Sequence, residues 1–268
     1  MVADSRKPTL TALVVVHNEQ ERLPSCLEHL RFADEVVVVL DRCTDASAEI
    51  AAEFGARLVS GGWECEGDRR NTGIAACTGD WILEVDADEH VPPGLAAEVR
   101  TVIATTPYDW HVVPVDNYIG TRLVRHGWGS SFGKAGCPAL FRRGVKVWGR
   151  QRVHPALEWS GKKGPNLTIP LQHFVDRDVS DMLRRLDRYT TARAKDLVES
   201  GRIGGLADAL RSGVSRFFRV FFSRKGYKEG RIGLAVALCT ALYPVFSHIK
   251  AVEMTEQNAR KTAVAPDR

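Results

Sequence analysis

Three carboxylates directly follow a short apolar segment and are the residues best suited to chemistry. Residues 81–85 have the composition of a buried strand, and the next four residues read Asp-Ala-Asp-Glu. Asp86 and Asp88 are two residues apart, so in extended backbone their side chains point to the same side. Carboxylates at this spacing suit Mg²⁺ or Mn²⁺, which take a few protein carboxylates together with substrate phosphate oxygens. The alternative is a solvated acidic turn that leads into a helix at residues 92–93.

Two other predicted strands also end in polar residues. Residues 10–16 and 36–40 are short apolar runs, typical of buried parallel strands. His17-Asn18-Glu19 follows the first run, and Asp41 follows the second. Ligands of open α/β sheets bind beyond the carboxyl ends of the strands. The coincidence of three polar strand ends therefore predicts a ligand site at that edge.

The pattern of elements predicts an α/β fold. A third short strand is predicted at 56–60, and helices are predicted at 21–31, 46–54 and 68–77. This alternation favours a mostly parallel, doubly wound sheet over residues 8–105. Neither G-x-G-x-x-G nor G-x-x-x-x-G-K-[ST] occurs, which argues against a dinucleotide site or a P-loop.

Composition narrows the class of protein further. The chain has 268 residues, of which 44% are hydrophobic and 26% charged, as in an ordinary globular protein. This length suits either one large α/β domain or a domain with a smaller appendage. Its six cysteines are scattered without a C-x-x-C pair, so a disulfide framework or zinc site is not expected and a reducing cytosol fits. The polar N-terminus runs straight into a strand, so we expect no signal peptide.

Three sequence blocks resemble the family-two glycosyltransferases of the GT-A fold, in particular their lipopolysaccharide-core β-glucosyltransferase-like members. The blocks are VVVHNEQERL, VVVVLDRCTDAS and GDRRNTGIAACTGDWILEVDADE. The likeness is strong over residues 10–100 and looser to about 250. It implies a GT-A glycosyltransferase domain over residues 1–178, with a nucleotide-sugar half at 8–105 and an acceptor half at 106–178.

The resemblance also implies a nucleotide site. Asn18 and Glu19 would line the nucleotide pocket, and Asp41 would accept a hydrogen bond from the base N–H, as expected for uracil. Arg70, in the position of the arginine in the family's A-R-N stretch, would approach the base or the diphosphate. The alternatives are structural: Asp41 and Asp45 as caps of the next helix, Arg70 in a surface ion pair, and Asn18 in a turn.

The same resemblance assigns Asp86 and Asp88 to the D-x-D element. Asp86 would face the ribose and the metal, and Asp88 would bind the metal directly. The implied cofactor is Mg²⁺ or Mn²⁺.

The catalytic base is less well defined, because the chain departs from the family pattern. Ala139 replaces the leading Arg of R-L-F-R-R, and Pro155 replaces the Glu of R-P-V-H-E, the residue that would otherwise be the general base. A base must reach the acceptor hydroxyl. The remaining candidates are His154, Glu158, Asp116 and Glu89. His154 is alternatively a third metal ligand or a core histidine, and the same choice applies to His173.

The C-terminal segment, 179–268, is predicted to be a helical, membrane-associating extension. Residues 201–250 contain nine Lys/Arg against two Asp/Glu. Helices are predicted at 179–199 and 206–222, and the second combines aromatic with basic residues, as interfacial helices on anionic lipid do. Residues 232–249 form an apolar run at the lower limit for crossing a bilayer, and a helix that lies in the interface or packs on the catalytic domain is favoured over a span. Residues 251–268 are polar and are expected to fray.

These features predict an inverting, metal-dependent glycosyltransferase. The donor would be a nucleotide diphosphate sugar, with UDP favoured, and the acceptor a hydroxyl of a lipid-linked glycan. The expected location is the cytoplasm, at the inner face of the cell membrane, with no nucleic-acid partner. Two other classes stay open: a sugar-phosphate nucleotidyltransferase and a non-catalytic scaffold that binds a nucleotide sugar.

Overall fold

The structure is a computed structural model that describes residues 6–128, 133–150 and 156–264. Contacts within the chain divide it into two compact units. The first unit comprises residues 1–116 and 135–173, and the second comprises residues 117–134 and 174–268. Each is described separately below, and the functional domain bounds predicted at residues 178 and 179 stay a prediction.

The first unit begins with a parallel βα arrangement. Its strands are β1 (Leu10–Val16), β2 (Glu35–Asp41), β3 (Arg57–Gly61) and β4 (Trp81–Asp86). They lie in the order β3-β2-β1-β4, and all three pairings are parallel. The helices are α1 (Leu23–Glu28), α2 (Ser47–Glu53), α3 (Glu66–Ala76) and α4 (Pro93–Thr105). The predicted α/β fold with a parallel sheet is confirmed.

Hydrophobic cores cover both faces of this sheet. Leu10 and Val14 of β1 pack in one core with residues of α1 and α4, whereas Leu13 packs in the other core with Ile74 of α3. Helix α3 approaches closely because it carries Gly73, where a Cβ would lie 2.7 Å from a methyl carbon of Leu13. Strands buried on both faces read as continuous apolar runs, which explains why the sequence showed no alternation there.

Antiparallel strands extend the sheet beyond β4. They are β5 (Glu89–His90), β6 (Trp110–Ile119), β7 (Arg122–Val124), β8 (Gly136–Arg142) and β11 (Leu171–Asp176). The order continues β4-β8-β6-β11-β5, and β7 pairs with β6. Strands β9 (Lys146–Trp148) and β10 (Leu157–Trp159) form a separate two-stranded sheet. The short strands predicted between residues 110 and 173 are thus present.

Helices build most of the second unit. They are α5 (Val179–Glu199), α6 (Leu206–Phe218) and α7 (Gly230–Val264). Met182 of α5, Val236 of α7 and Val220 lie together in its core. The helix predicted at 206–222 is α-helical only to Phe218 and then continues as one π-helical turn, Arg219–Ser223.

Helix α7 is longer than predicted. The expectation that residues 251–268 fray is wrong as far as Val264, because Ala251 is fully buried and the residues after it favour helix. The helical segment 226–260 is long and apolar enough to cross a membrane by length and composition, and 33% of its most apolar window is buried within the protein.

Candidate functional site

The carboxyl ends of β1, β2 and β4 lie side by side at one edge of the sheet. Val16 is paired in register with Leu40, and Val15 is paired with Asp86. The polar residues that follow β1 and β2 therefore neighbour the D-x-D residues at the end of β4. The loop contacts reinforce this edge, since Nδ1 of His17 donates a 2.6 Å hydrogen bond to the backbone oxygen of Asp41.

Arg70 neutralises Asp86. Its Nη2 lies 2.9 Å from Oδ1 of Asp86, and its other nitrogens donate to Glu84 at 3.2 Å and Glu66 at 2.9 Å. The guanidinium also lies over the ring of Trp148, 4.9 Å from the centroid. Although burial by itself lowers the pKa of Arg70, the three carboxylates hold it well above the usual value, so this arginine stays charged. It is a buried ion-pair hub and not the surface pair that the sequence left as an alternative.

Asp88 is held by two cationic or potentially cationic groups. Its Oδ2 lies 3.4 Å from Nη1 of Arg22 and 3.4 Å from Nε2 of His173. Residues 89 and 173 are paired across β5 and β11, which brings His173 to the acidic turn. Glu89 is buried, and its Oε2 accepts a 2.9 Å hydrogen bond from the backbone N–H of Asp86. The backbone of the D-x-D element is therefore fixed from within its own turn.

A negative electrostatic field surrounds this turn. Burial raises the pKa of the Cys26 thiol, and the nearby carboxylates of Glu89, Asp88 and Asp86 raise it further. Burial and the neighbouring His29, on which its ring stacks at 4.3 Å between centroids, lower the pKa of His90 to about 4, and the negative charge of Asp88 opposes that lowering. A field that opposes formation of a thiolate favours a bound cation for the same reason.

Asp41 is a buried acceptor of several hydrogen bonds. Its carboxylate accepts from Nε of Arg42 at 3.0 Å and from the backbone N–H of Trp63 at 3.2 Å, and Nη1 of Arg69 lies 3.4 Å away. Burial alone raises the pKa of Asp41, but these donors together hold it below the usual value, so the carboxylate is ionised. Asp45, and not Asp41, contacts the start of α2, because its Oδ1 accepts from the N–H of Ser47.

Asn18 and Glu19 lie in the loop after β1. Asn18 has a φ of 58°, a left-handed conformation that asparagine tolerates better than most residues. Its Oδ1 accepts a 2.8 Å hydrogen bond from the N–H of Thr44, and the N–H of Glu19 donates to Oγ of Ser47 at 3.0 Å. Asn18 therefore connects the loop after β1 to the loop after β2, which is a structural role in a turn. It is also exposed, so a role in ligand binding stays a prediction.

A buried ion pair lies behind the site. Lys146 bonds to Glu84, donates to the backbone oxygen of Pro138 at 3.1 Å, and lies 4.5 Å from the centroid of the Trp148 ring. Glu84 precedes Asp86 by two residues on β4, so Arg70 bridges the buried pair and the D-x-D element. Sequence reasoning missed Lys146, Glu84, Arg22 and Cys26, because no local pattern links residues so distant in the chain.

The candidate bases differ in position and burial. His154 lies outside the residues that the structure describes, as does Pro155. Glu158 is exposed on β10, on the side opposite Leu157 and Trp159, and Asp116 is half-buried on β6. Glu89 is buried and already accepts from the backbone.

The residues of the acidic turn fit a divalent ion. The side chains of Asp86 and Asp88 are 31% and 22% exposed, so their oxygens are accessible from the edge of the sheet. Within the described ranges, no group of three or more His, Cys, Asp or Glu residues forms a complete metal-binding cluster. Mg²⁺ does not require one, since it commonly uses one or two carboxylates together with substrate phosphates and water.

Comparison with known proteins agrees with the fold. The sequence model described as Glycosyl transferase family 2 matches residues 11–128. The chain is 23% identical to the lipopolysaccharide core biosynthesis glycosyltransferase LpsC of Rhizobium meliloti, over 95% of this chain and 96% of that protein. It is 27% identical to an uncharacterized glycosyltransferase of Rickettsia typhi, over 87% of this chain and 82% of that protein.

Among solved structures, TarS 1-349 of S. aureus aligns over 94% of this chain and 92% of that one, with a TM-score of 0.47 and 12% identity. Glucosyl-3-phosphoglycerate synthase of Mycobacterium tuberculosis, solved with Mn²⁺ and UDP-glucose, aligns over 41% of this chain and 44% of that one, with a TM-score of 0.36 and 21% identity.

Proposed function

We propose that the chain, whose residues 11–128 match the model of glycosyl transferase family 2, moves a sugar from a nucleotide diphosphate donor, a UDP-sugar, to a hydroxyl of a lipid-linked or lipopolysaccharide-type glycan. Transfer proceeds with inversion at the anomeric carbon. The observation that carries the proposal is the common sheet edge at which β2 ends in Asp41 and β4 ends in Asp86, on either side of β1, with Asp88 directly after β4. That edge is where α/β folds of this kind bind their ligands.

The donor nucleotide binds across the ends of β1 and β2. Asp41 is ionised and buried, so it is a fixed acceptor for the N–H of a uracil base. Asn18 and Glu19 form the loop beside it, and Arg70 faces the donor diphosphate from α3. Because each nitrogen of Arg70 already donates to a carboxylate of Glu66, Glu84 or Asp86, its contribution to the diphosphate is a fixed positive charge beside the site.

Asp86 and Asp88 would hold a Mg²⁺ or Mn²⁺ ion together with the donor diphosphate and water, and His173, whose Nε2 lies 3.4 Å from Asp88, would support the position of that carboxylate. When bound, such an ion stabilises the negative charge that develops on the departing diphosphate. The chain's own contribution is to fix the two carboxylates: Glu89 anchors the backbone of Asp86, and Arg70 orients its side chain. Rigid positioning of this kind supports catalysis because little reorganisation is then needed in the transition state.

The base that deprotonates the acceptor hydroxyl is His154 or Glu158, with Asp116 and Glu89 as the remaining candidates. Glu158 is exposed and therefore accessible to an acceptor. Glu89 is the weakest candidate, because its carboxylate is buried and already bonded to the backbone of the metal-binding turn.

Two considerations support the proposal of an acceptor at a membrane. The relative LpsC, similar over nearly its full length, is named for lipopolysaccharide core biosynthesis. In addition, α6 and the π-helical turn carry an exposed apolar stripe, with residues four apart and each about half exposed: Leu206, Leu210, Val214, Phe218 and Phe222. Cations flank this stripe, and anionic lipid is the surface that complements such a helix. We accordingly assign the protein to the cytoplasmic face of the membrane, as a peripheral enzyme.

The test is incubation with radiolabelled UDP-glucose, Mn²⁺ and a membrane extract that contains lipid-linked glycans. Label in the lipid phase that disappears in Asp88→Asn supports the proposal. Release of UDP without lipid labelling indicates transfer to another acceptor or slow hydrolysis. Release of pyrophosphate would identify a nucleotidyltransferase, and donor binding without turnover would identify a scaffold; either outcome overturns the proposal.

A further inference from the structure

The second unit contains a cavity of about 350 Å³ whose lining is strongly cationic. The polar residues that line it are Ser212, Ser215, Arg216, Arg219, Arg224 and Thr240. Three arginines thus contribute to one lining, in which Arg216 is half-buried and Arg219 and Arg224 are exposed, and none of the described lining residues is acidic. Such a concentration of like charge is unfavourable unless an anion compensates it.

The π-helical turn is what brings the third arginine into the lining. The backbone N–H of Arg224 donates a 2.8 Å hydrogen bond to the oxygen of Arg219, five residues earlier. In a regular α-helix, residues five apart differ by about 140° around the axis. The wider turn reduces that difference and leaves both arginines on the cavity side. Single π-turns within helices are frequent at functional sites.

Two of the arginines are held in position by the surrounding protein. Nη1 of Arg224 donates a 2.6 Å hydrogen bond to the backbone oxygen of Trp128, and the guanidinium of Arg216 lies 5.5 Å from the centroid of the Tyr243 ring. Nη1 of Arg216 is buried and has no hydrogen-bond partner among the described residues. A buried donor without an acceptor is costly, so an oxygen atom of a ligand that reached Nη1 of Arg216 would relieve that cost.

The carboxylates nearest in sequence are already engaged. Asp208 pairs with Arg211, one turn further along α6. Glu229 is buried and accepts hydrogen bonds from Arg122 and from the backbone N–H of Arg125. Neither Asp208 nor Glu229 lines the cavity, so neither carboxylate compensates the positive charge of the lining arginines.

We propose that this cavity is a binding site for a phosphate group, and specifically for a phosphate monoester or diphosphate. Guanidinium groups bind phosphate oxygens in pairs, and the hydroxyls of Ser212 and Ser215 supply further donors. The site shares no residue with the carboxylate edge of the first unit. Its ligand is an anion, whereas the carboxylate edge suits a cation.

The position of the cavity on α6 favours a lipid as the source of that phosphate. Ser215 and Arg219 line the cavity, and each directly follows a residue of the exposed apolar stripe, Val214 and Phe218. Consecutive residues are about 100° apart on a helix, so the cavity and the stripe occupy adjacent faces. A lipid whose acyl chains contact the stripe could therefore place its phosphate beside the arginines. Soluble phosphate would bind to the arginines without contacting the stripe.

The experiment compares two single variants of the full chain that each remove one positive charge from α6. Arg219→Gln alters the cavity, and Arg211→Gln, outside the lining, is the matched control. Affinity for pyrophosphate is measured by isothermal titration calorimetry. Binding is also measured to phosphatidylcholine vesicles that contain either phosphatidic acid, with a phosphate monoester headgroup, or phosphatidylglycerol at equal surface charge. No donor sugar or turnover is involved, so the result does not depend on the proposed transferase activity.

We expect Arg219→Gln to weaken binding to pyrophosphate or to phosphatidic acid vesicles by roughly tenfold or more, and Arg211→Gln to change it by less than about threefold. A preference for phosphatidic acid that Arg219→Gln abolishes supports the lipid source, and an effect on pyrophosphate alone supports soluble phosphate. Equal losses in both variants would show a general effect of surface charge and overturn the site. Absence of binding to every probe would overturn it as well.

Discussion

Nη2 of Arg70 and Oδ1 of Asp86 form a 2.9 Å ion pair, and the arginine side chain is only 12% exposed. The two aspartates of the D-x-D element are therefore not equivalent. Asp86 is tied to a buried guanidinium, whereas Asp88 is held at 3.4 Å by Arg22 and His173. An ion that binds both carboxylates has to share Asp86 with Arg70 at 2.9 Å, whereas the contacts of Asp88 with Arg22 and His173 are longer, at 3.4 Å.

Asp88→Asn should therefore remove metal binding and transfer without unfolding the protein. The amide keeps the size of the side chain but loses the charge that attracts the ion. We expect the transfer rate to fall by roughly 10²–10³-fold, the range typical when one electrostatic stabiliser is lost. Mn²⁺ binding, followed by electron paramagnetic resonance, should weaken in parallel.

Asp208→Asn is the matched control, since this aspartate is exposed and pairs only with neighbouring Arg211 among the ion pairs described. It should leave Mn²⁺ binding and the transfer rate unchanged. If Asp88→Asn bound Mn²⁺ as tightly as the parent and retained its turnover, the metal assignment would be wrong.

The buried pair behind the site predicts an asymmetric effect on stability. In Lys146→Met, the buried Glu84 carboxylate loses one of its two cationic partners. The remaining partner, Arg70, also pairs with Glu66 and Asp86 and compensates the charge only in part. Removal of one partner from a buried pair typically costs about 3–5 kcal/mol. The double variant Lys146→Met/Glu84→Gln should recover part of that loss, because no uncompensated charge remains. Urea denaturation measures the free energy of unfolding of each.

Lys162→Met provides the control, because Lys162 is exposed in the same unit. We expect it to change the free energy of unfolding by less than about 0.5 kcal/mol. If Lys162→Met and Lys146→Met lost similar amounts of stability, the buried pair of Lys146 with Glu84 would not be the cause of the loss.

The local elements of this fold were predictable, whereas the electrostatic network of the site was not. Strand Leu10–Val16 and helix Val179–Glu199 have the predicted bounds, because apolar runs and helical spacing are local signals. The polar ends of three strands were also evident. The salt bridge of Arg22 and Asp88, by contrast, joins residues 66 apart in the chain, and nothing in either neighbourhood specifies it.

Irregular backbone was the other limit of the sequence. Residues 206–222 have continuous helical spacing, and the pattern gave no sign that the last turn is a π-helix. That turn depends on tertiary packing around Val220, which is buried in the core of the second unit. The cationic cavity follows from it, so the proposed phosphate site could be found only in three dimensions.

Acid should destabilise the second unit through Asp181. Hydrogen bonds from Arg177 lower the pKa of this carboxyl well below its usual value, with further lowering by Arg184, although burial opposes the effect. A group with a lowered folded-state pKa contributes stability above its unfolded pKa of about 3.9, and the contribution is lost as pH falls. Asp181→Asn should therefore cost roughly 1–2 kcal/mol at pH 7 and progressively less from about pH 5 downward.

Denaturation curves at pH 7, 4, 3 and 2 measure that convergence, because the contribution is lost between the unfolded pKa and the lowered folded-state pKa. Asp208→Asn serves again as the control, because its exposed pair with Arg211 is expected to contribute little at any of these values. If the difference between Asp181→Asn and the parent were the same at pH 7 and pH 2, the ionised state of Asp181 would not be what stabilises the start of α5.

The apolar stripe predicts how the protein binds a bilayer. Leu210 is 49% exposed on α6, and Leu58 is 38% exposed on β3 of the first unit, so Leu→Ala at the two positions removes the same atoms from comparable surroundings. If α6 lies in the interface, Leu210→Ala should weaken sedimentation with anionic vesicles several-fold, since each buried CH₂ contributes about 0.8 kcal/mol. Leu58→Ala should bind the vesicles like the parent. High salt should weaken vesicle binding by the parent and by both variants, because salt screens the attraction between the flanking cations and the anionic lipid. Equal binding by the two variants would exclude this stripe as the membrane contact.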